Sequence, residues 1–176
     1  LRDDLLLLAM SATLDAGPVA DLMDCSVVRA EGRAFAVETR WLDRPLGAGA
    51  RRDGPMADLI VQAEAETRAQ GGAILCFLPG EGEIRRVAGL LKDRVPADCS
   101  IAPLFGAMPF HDQRAAIAPA KAGRKIVLAT SIAETSLTIP DVRVVVDGGQ
   151  SRRARFDPAS GMQRLVTERV TRAEAT

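Results

Sequence analysis

Residues 130–138 place five hydroxyls, those of Thr130, Ser131, Thr135, Ser136 and Thr138, around the carboxylate of Glu134. Hydroxyls and backbone amides crowded in this way suit phosphate oxygens, which accept hydrogen bonds and favour a helix N-terminus. Ser131 and Glu134 alone are equally explained as a capping box that starts a short helix. That explanation leaves Thr130, Thr135, Ser136 and Thr138 unused, because one cap satisfies only two backbone donors. Nucleophilic hydrolysis is disfavoured: no Gly-x-Ser-x-Gly elbow occurs, and the single histidine, His111, has no evident triad. One further group could serve a polyanionic ligand, the clustered trio Arg152, Arg153 and Arg155. Cys25, Cys76 and Cys99 lie far apart and form no Cys-x-x-Cys pair, so no metal set is expected and the thiols are expected free and buried in a reducing cytosol.

The elements that must position these residues follow from the apolar pattern. Residues 126–129 and 142–146 are short β-branched runs on either side of the hydroxyl-rich segment, which predicts two buried strands with the hydroxyls at the carboxyl end of the first. Ligands of open parallel sheets bind at that end. Earlier in the chain, residues 5–10 read as a strand buried on both faces, followed by a helix to about Met23 capped by Thr13 or Asp15. Residues 25–30 and 34–41 read as two more short strands, and 41–50 as a Pro- and Gly-bearing linker. A helix starts at Asp53-Gly54-Pro55 and stops at Gly71-Gly72. Beyond it come a strand over 73–78, a helix carrying Ile84, Val87, Ala88 and Leu91 on one face, a strand over 100–105, and a helix through Ile117 with His111 exposed at its start. Alternation of this kind predicts an α/β fold with a parallel sheet flanked by helices. After Asp147 the turn residues 157–161 separate two β-like runs, a hairpin at about 152–168.

The overall charge is balanced, with 23 basic and 23 acidic residues, so any nucleic-acid site must be a local patch. Such a bias exists from Arg143 onward, where seven Arg (143, 152, 153, 155, 164, 169, 172) face four acids (Asp147, Asp157, Glu168, Glu174). A hydrophobic content of 47% is enough for a sizeable core. The run at 5–10 is too short to cross a bilayer, and the expected setting is the cytoplasm with no membrane contact.

The run Ala-Thr-Ser-Ile-Ala-Glu-Thr-Ser-Leu-Thr-Ile at 129–139 resembles motif V of the DEAH-box ATP-dependent helicases, with Ser131 where the family usually has Asn. Ser11-Ala12-Thr13 resembles motif III, and Phe77-Leu78-Pro79-Gly80 resembles motif IV. Ala-Arg-Phe-Asp-Pro-x-x-Gly at 154–161 is similar to the HrpB-type branch in particular. The resemblance implies a RecA-like fold, with 1–40 the tail of a first RecA-like domain, 41–50 a linker, and 51–176 a second such domain, incomplete at its C-terminus and carrying the hairpin. It implies ATP with Mg²⁺, held mainly by the first RecA-like domain, and single-stranded nucleic acid, RNA by family, as partner. Carried over by position, Ser11 and Thr13 couple closure; Ser136, Asp141 and Ile117 face nucleotide; Thr130, Ser131, Thr135, Gly80, Arg152, Arg153 and Arg155 face nucleic acid. Ile117 stands where the family has an aromatic that stacks on adenine, and Phe105 replaces the Tyr of the preceding turn, so the aromatic stacking contribution is lost. No Gly-x-x-x-x-Gly-Lys-Ser/Thr and no Asp-Glu-x-His box occur, and an arginine finger, worth about three to five orders of magnitude in rate, is not among these residues. The segment alone is expected not to hydrolyse ATP. A non-catalytic nucleic-acid-binding module and a partner-docking domain remain as alternatives.

Overall fold

The structure is a computed structural model that describes residues 7–10, 16–30, 35–47, 49–131 and 139–171. The chain divides into two compact units, Leu1–Arg44 and Pro45–Thr176, and the boundary falls inside the expected linker. In the first unit the expected helix is present as α1, Ala16–Met23. Asp24 adopts a left-handed φ of 47° after it, and the Cys25 amide donates to the Ala20 carbonyl at 3.2 Å, a closure that stops the helix. The strands expected nearby are not found: residues 7–10, 25–30 and 35–42 are irregular. Strands need neighbours to accept their backbone hydrogen bonds, and the described residues of this unit offer none. Leu7, Leu8 and Met10 are accordingly exposed rather than buried on both faces. Residues 5 and 6 lie outside the described set.

In the second unit, apolar residues recur at helical spacing in α2 (Asp53–Thr67), α3 (Glu81–Leu91) and α4 (Phe110–Ile117). A 3₁₀ turn, Arg68–Gln70, extends α2 before Gly71. Four parallel strands, β1 (Ala73–Phe77), β2 (Cys99–Leu104), β3 (Arg124–Ala129) and β4 (Val142–Asp147), form one sheet in the order β2-β3-β1-β4. Alternation along the strands divides the core. Ile74, Cys76, Ile126, Leu128 and Val146 pack with Met56, Ile60, Ile84, Val87 and Leu91 of α2 and α3. Leu75, Val127 and Ala129 pack with Leu104 and with Ala116 of α4 on the other face. Each fully buried Ile or Leu here stabilises the fold by roughly 1.5–3 kcal/mol. The expectation that 142–146 is a buried strand needs correction: β4 is an edge, Val146 is its only buried residue, and Val145 is 57% exposed. Among the thiols, all free, only Cys76 is buried; Cys99 is partly exposed and Cys25 exposed.

Two buried cations at the start of β3 tie the helices to the sheet. Arg124 donates to the carbonyls of Glu64, Gly71 and Gly72 and to the Thr67 hydroxyl, closing the C-terminal end of α2. Lys125 Nζ donates to the carbonyls of Ala115, Ala116 and Ala118 at the end of α4, while burial draws its pKa below the ordinary lysine value. Cations at helix C-termini also face the negative end of the helix dipole.

The hairpin is β5 (Gln150–Asp157) and β6 (Met162–Arg169), paired antiparallel with Arg155 opposite Arg164 and Asp157 opposite Met162. Asp157 builds its turn: its carboxylate accepts from the Ala159 amide and the Ser160 hydroxyl, and its carbonyl from the Gly161 amide. Gly161 supplies the positive φ of 67° that the turn requires. Among the described residues no helix is long and apolar enough to cross a membrane.

Candidate nucleic-acid and nucleotide interface

Because all four strands of the sheet run the same way, their carboxyl ends form one rim. The backbone ladder continues one residue past the strands: the Leu78 amide donates to the Ala129 carbonyl at 2.8 Å, Thr130 to Leu104 at 3.1 Å and Gly148 to Phe77 at 3.2 Å. This fixes Thr130 at the rim, half-buried and outside both core clusters, with Ser131 exposed in the following turn. Gly80 comes to the same rim after β1, at the start of α3. Arg52 reaches it from just before α2, donating to the Gly148 carbonyl at 3.3 Å.

Of the hairpin's arginines, Arg152 comes against the rim at Gly80, while Arg155 pairs within the hairpin. Arg152 Nη2 lies 3.3 Å from Glu83 Oε2, and its guanidinium covers Gly80. Arg155 grips Glu168 with two bonds of 2.7 and 2.8 Å, which hold that carboxyl below its ordinary pKa, with a smaller contribution from Arg153. Arg153 is itself half-buried. The Arg bias visible in the sequence is thus partly neutralised by acids that the fold places beside it, Glu83 from α3 and Glu168 from β6.

Asp141 and Ile117 fall elsewhere. Asp141 precedes β4, so it stands at the amino ends of the strands, about 20 Å from the carboxyl rim at the rise of five to six strand residues. It holds an uncommon φ of 63°, and its carbonyl accepts from the Ala73 amide at 2.7 Å. Ile117 is half-buried in the cluster that also contains Ile139. A cavity of about 40 Å³ lies between 118–120 and 139–141, bounded by Gly72, Gly123 and Lys125. That is far below the roughly 300 Å³ of a small-molecule pocket, so the described residues do not enclose a nucleotide. A larger open depression of about 350 Å³ lies between α2 and α3, where Arg51 and Arg86 both pair with Asp53. Among the described residues no three His, Cys, Asp or Glu side chains converge to hold a metal ion, so no step through Mg²⁺ is assigned to them. Ser11, Thr13, Thr135 and Ser136, with Glu134 and Thr138, lie outside the described residues.

Sequence reasoning missed Glu83 as a partner of the hairpin and Arg124 and Lys125 as helix anchors. The partners of Glu83 and Arg124 are remote in sequence, and those of Lys125, though only seven to ten residues back, are main-chain carbonyls that no side-chain pattern marks.

A model of the helicase conserved C-terminal domain matches residues 56–173. The chain belongs to the helicase C-terminal domain family. It is 51% identical over its whole length to the ATP-dependent RNA helicase HrpB of Escherichia coli (strain K12), of which it spans 21%. Against the pre-mRNA-splicing factor ATP-dependent RNA helicase DEAH10 of Arabidopsis thaliana it is 35% identical over 96% of the chain and 24% of that protein. The crystal structure of the E. coli DEAH/RHA helicase HrpB superposes with a TM-score of 0.84 at 50% identity, over 99% of this chain and 22% of that one. A second crystal structure, of the E. coli DExH-box NTPase HrpB, gives 0.80 at 50% identity over 99% of this chain and 21% of that one. This helicase C-terminal chain therefore spans between a fifth and a quarter of these two curated relatives. The RecA-like assignment and the hairpin both stand.

Proposed function

We propose that this chain serves as the second motor domain of an ATP-dependent RNA helicase, binding single-stranded RNA along the carboxyl rim of its sheet. The observation that carries the proposal is the rim itself, which brings Thr130, Gly80 and Arg152 together from three separate stretches of chain. Hydroxyls, main chain and guanidinium groups are the protein donors that recognise a phosphate backbone without reading bases. In this proposal Thr130, Ser131, Thr135 and Gly80 hold phosphates, and the hairpin with Arg152, Arg153 and Arg155 borders the strand path. Nucleotide meets the opposite side of the domain at Asp141 and Ile117, with Ser136 as a further nucleotide contact, and a first RecA-like domain supplies the phosphate loop and most of the Mg²⁺ coordination. Ser11 and Thr13 then couple closure of the two domains. Leu8, Met10, Phe35 and Trp41, each more than three-quarters exposed, are surface that the remainder of the first domain would cover.

The test is a salt titration of single-stranded RNA binding by the full-length protein. The log–log plot should fall with a slope of about −0.7 for each phosphate contacted. No binding at low salt would leave the partner-docking alternative.

A further inference from the structure

Gly80 has a φ of −170°, extended backbone open to any residue, so its conformation does not require glycine. Its space does: a Cβ there would stand 2.6 Å from Arg152 Nη1 and 2.7 Å from Cζ. The hairpin's guanidinium lies directly on the main chain of the β1–α3 loop. Its aim is set from behind by a row of alternating charges. Asp53 Oδ2 accepts from Arg86 Nε at 2.8 Å, Arg86 Nη2 donates to Glu83 Oε1 at 2.7 Å, and Glu83 Oε2 accepts from Arg152 Nη2 at 3.3 Å. Glu83 is held more closely by Arg86 than by Arg152, so it is the fixed acceptor and Arg152 the group that it orients. One edge of the fork is thereby taken by Glu83, while Nη1 and Nε lie over the loop. Arg51 also reaches Asp53, at 3.4 Å, so the row holds Arg51, Arg86 and Arg152 against Asp53 and Glu83, an excess of one positive charge (three minus two).

We propose that Gly80 and Arg152 form a single phosphate seat on the RNA path, with Glu83 as the positioning residue that aims the guanidinium. The inference rests on the proposed RNA-binding function and adds that two contacts from distant parts of the chain act as one. A planar fork with five donors can bind a carboxylate along one edge and a phosphate along another, which a lysine ammonium cannot reproduce.

The experiment measures single-stranded RNA affinity of the full-length protein across a salt series for Gly80→Ala, Arg152→Ala, their double variant, Glu83→Gln and the control Asp93→Asn, in the turn beyond the C-terminal end of α3. Gly80→Ala should leave the thermal midpoint unchanged, because its methyl displaces only the end of a flexible side chain. Gly80→Ala and Arg152→Ala should each weaken binding about tenfold, the scale of a lost charge-assisted contact. The double variant should be no more than about twofold weaker than the weaker single one, since neighbours sharing one interaction are non-additive. Arg152→Ala should also reduce the salt slope by about 0.7. Glu83→Gln should weaken binding about threefold and Asp93→Asn leave it unchanged, a contrast set by orientation rather than net charge. Losses that multiply in the double variant, or Glu83→Gln binding as tightly as the unaltered protein, would overturn the shared seat alone. Absence of salt-dependent binding by the unaltered protein would overturn the function on which it rests.

Discussion

Gly123 and Gly80 show how differently two glycines can be required. Gly123 sits at a φ of +64° before β3, and a Cβ there would lie 1.9 Å from the Asp98 carbonyl oxygen and 2.9 Å from its carbon. Both obstacles are backbone, so neither strain nor clash can be relieved by a rotamer change. Gly123→Ala should cost at least about 2 kcal/mol, combining left-handed strain of about 1–2 kcal/mol with displacement of the α3–β2 connection at Asp98, measured by urea denaturation. Gly80→Ala, which meets only a side-chain end, should stay within about 0.5 kcal/mol in the same assay. Arg124 belongs at this scale as well. Its bonds to three carbonyls and a hydroxyl use the whole planar fork, so lysine cannot replace it. Arg124 and Lys125 were legible in the sequence only as polar residues before an apolar run, since the helix ends that they close are contributed by residues up to 60 positions away.

At the level of elements, the hairpin is fastened by the Arg155–Glu168 pair and the Asp157 turn, with little apolar burial; Phe156, Met162 and Leu165 are each about two-thirds exposed. Its stability should therefore follow charge. Arg155 holds the Glu168 carboxyl below the ordinary value of 4.5, so the ionised form is favoured in the folded hairpin. A depressed carboxyl contributes stability above that ordinary value, and the contribution is lost as pH falls through the depressed one. Amide protection in β5 and β6, corrected for intrinsic exchange rates, should drop between pH 6 and pH 3 in the unaltered chain and much less in Glu168→Gln. Equal drops would mean that the pair does not fasten the hairpin. The hairpin was legible because Asp157, Pro158 and Gly161 fit only a turn, and β1, β3 and α2–α4 because their apolar spacing has one solution. Residues 25–30 and 35–41 have β-like composition yet form no strand, since composition does not supply the partner on which a ladder depends. The three valines of β4 likewise do not reveal that the strand lies at an edge.

For the whole molecule, division into two units predicts that they report separately on unfolding, and the three thiols are natural probes. Cys25 is exposed in the first unit; Cys99, whose thiol burial pushes above its ordinary pKa, is partly covered at the start of β2; Cys76 is enclosed between α2, α3 and the sheet, and burial drives its thiol far up. Reaction requires the thiolate and a path to it, and both are denied to Cys76 unless the helices leave the sheet. With iodoacetamide at pH 8, mass spectrometry should show Cys25 modified first, Cys99 more slowly, and Cys76 only across the urea transition of the Pro45–Thr176 unit. Because Cys76 belongs to one buried cluster with residues from α2, α3, β3 and β4, its protection is a property of the whole core rather than of one strand. Native-buffer labelling of Cys76 at the rate of Cys99 would mean that this core opens locally, and a sheet that opens locally could not keep Thr130 and Gly80 in register on one rim.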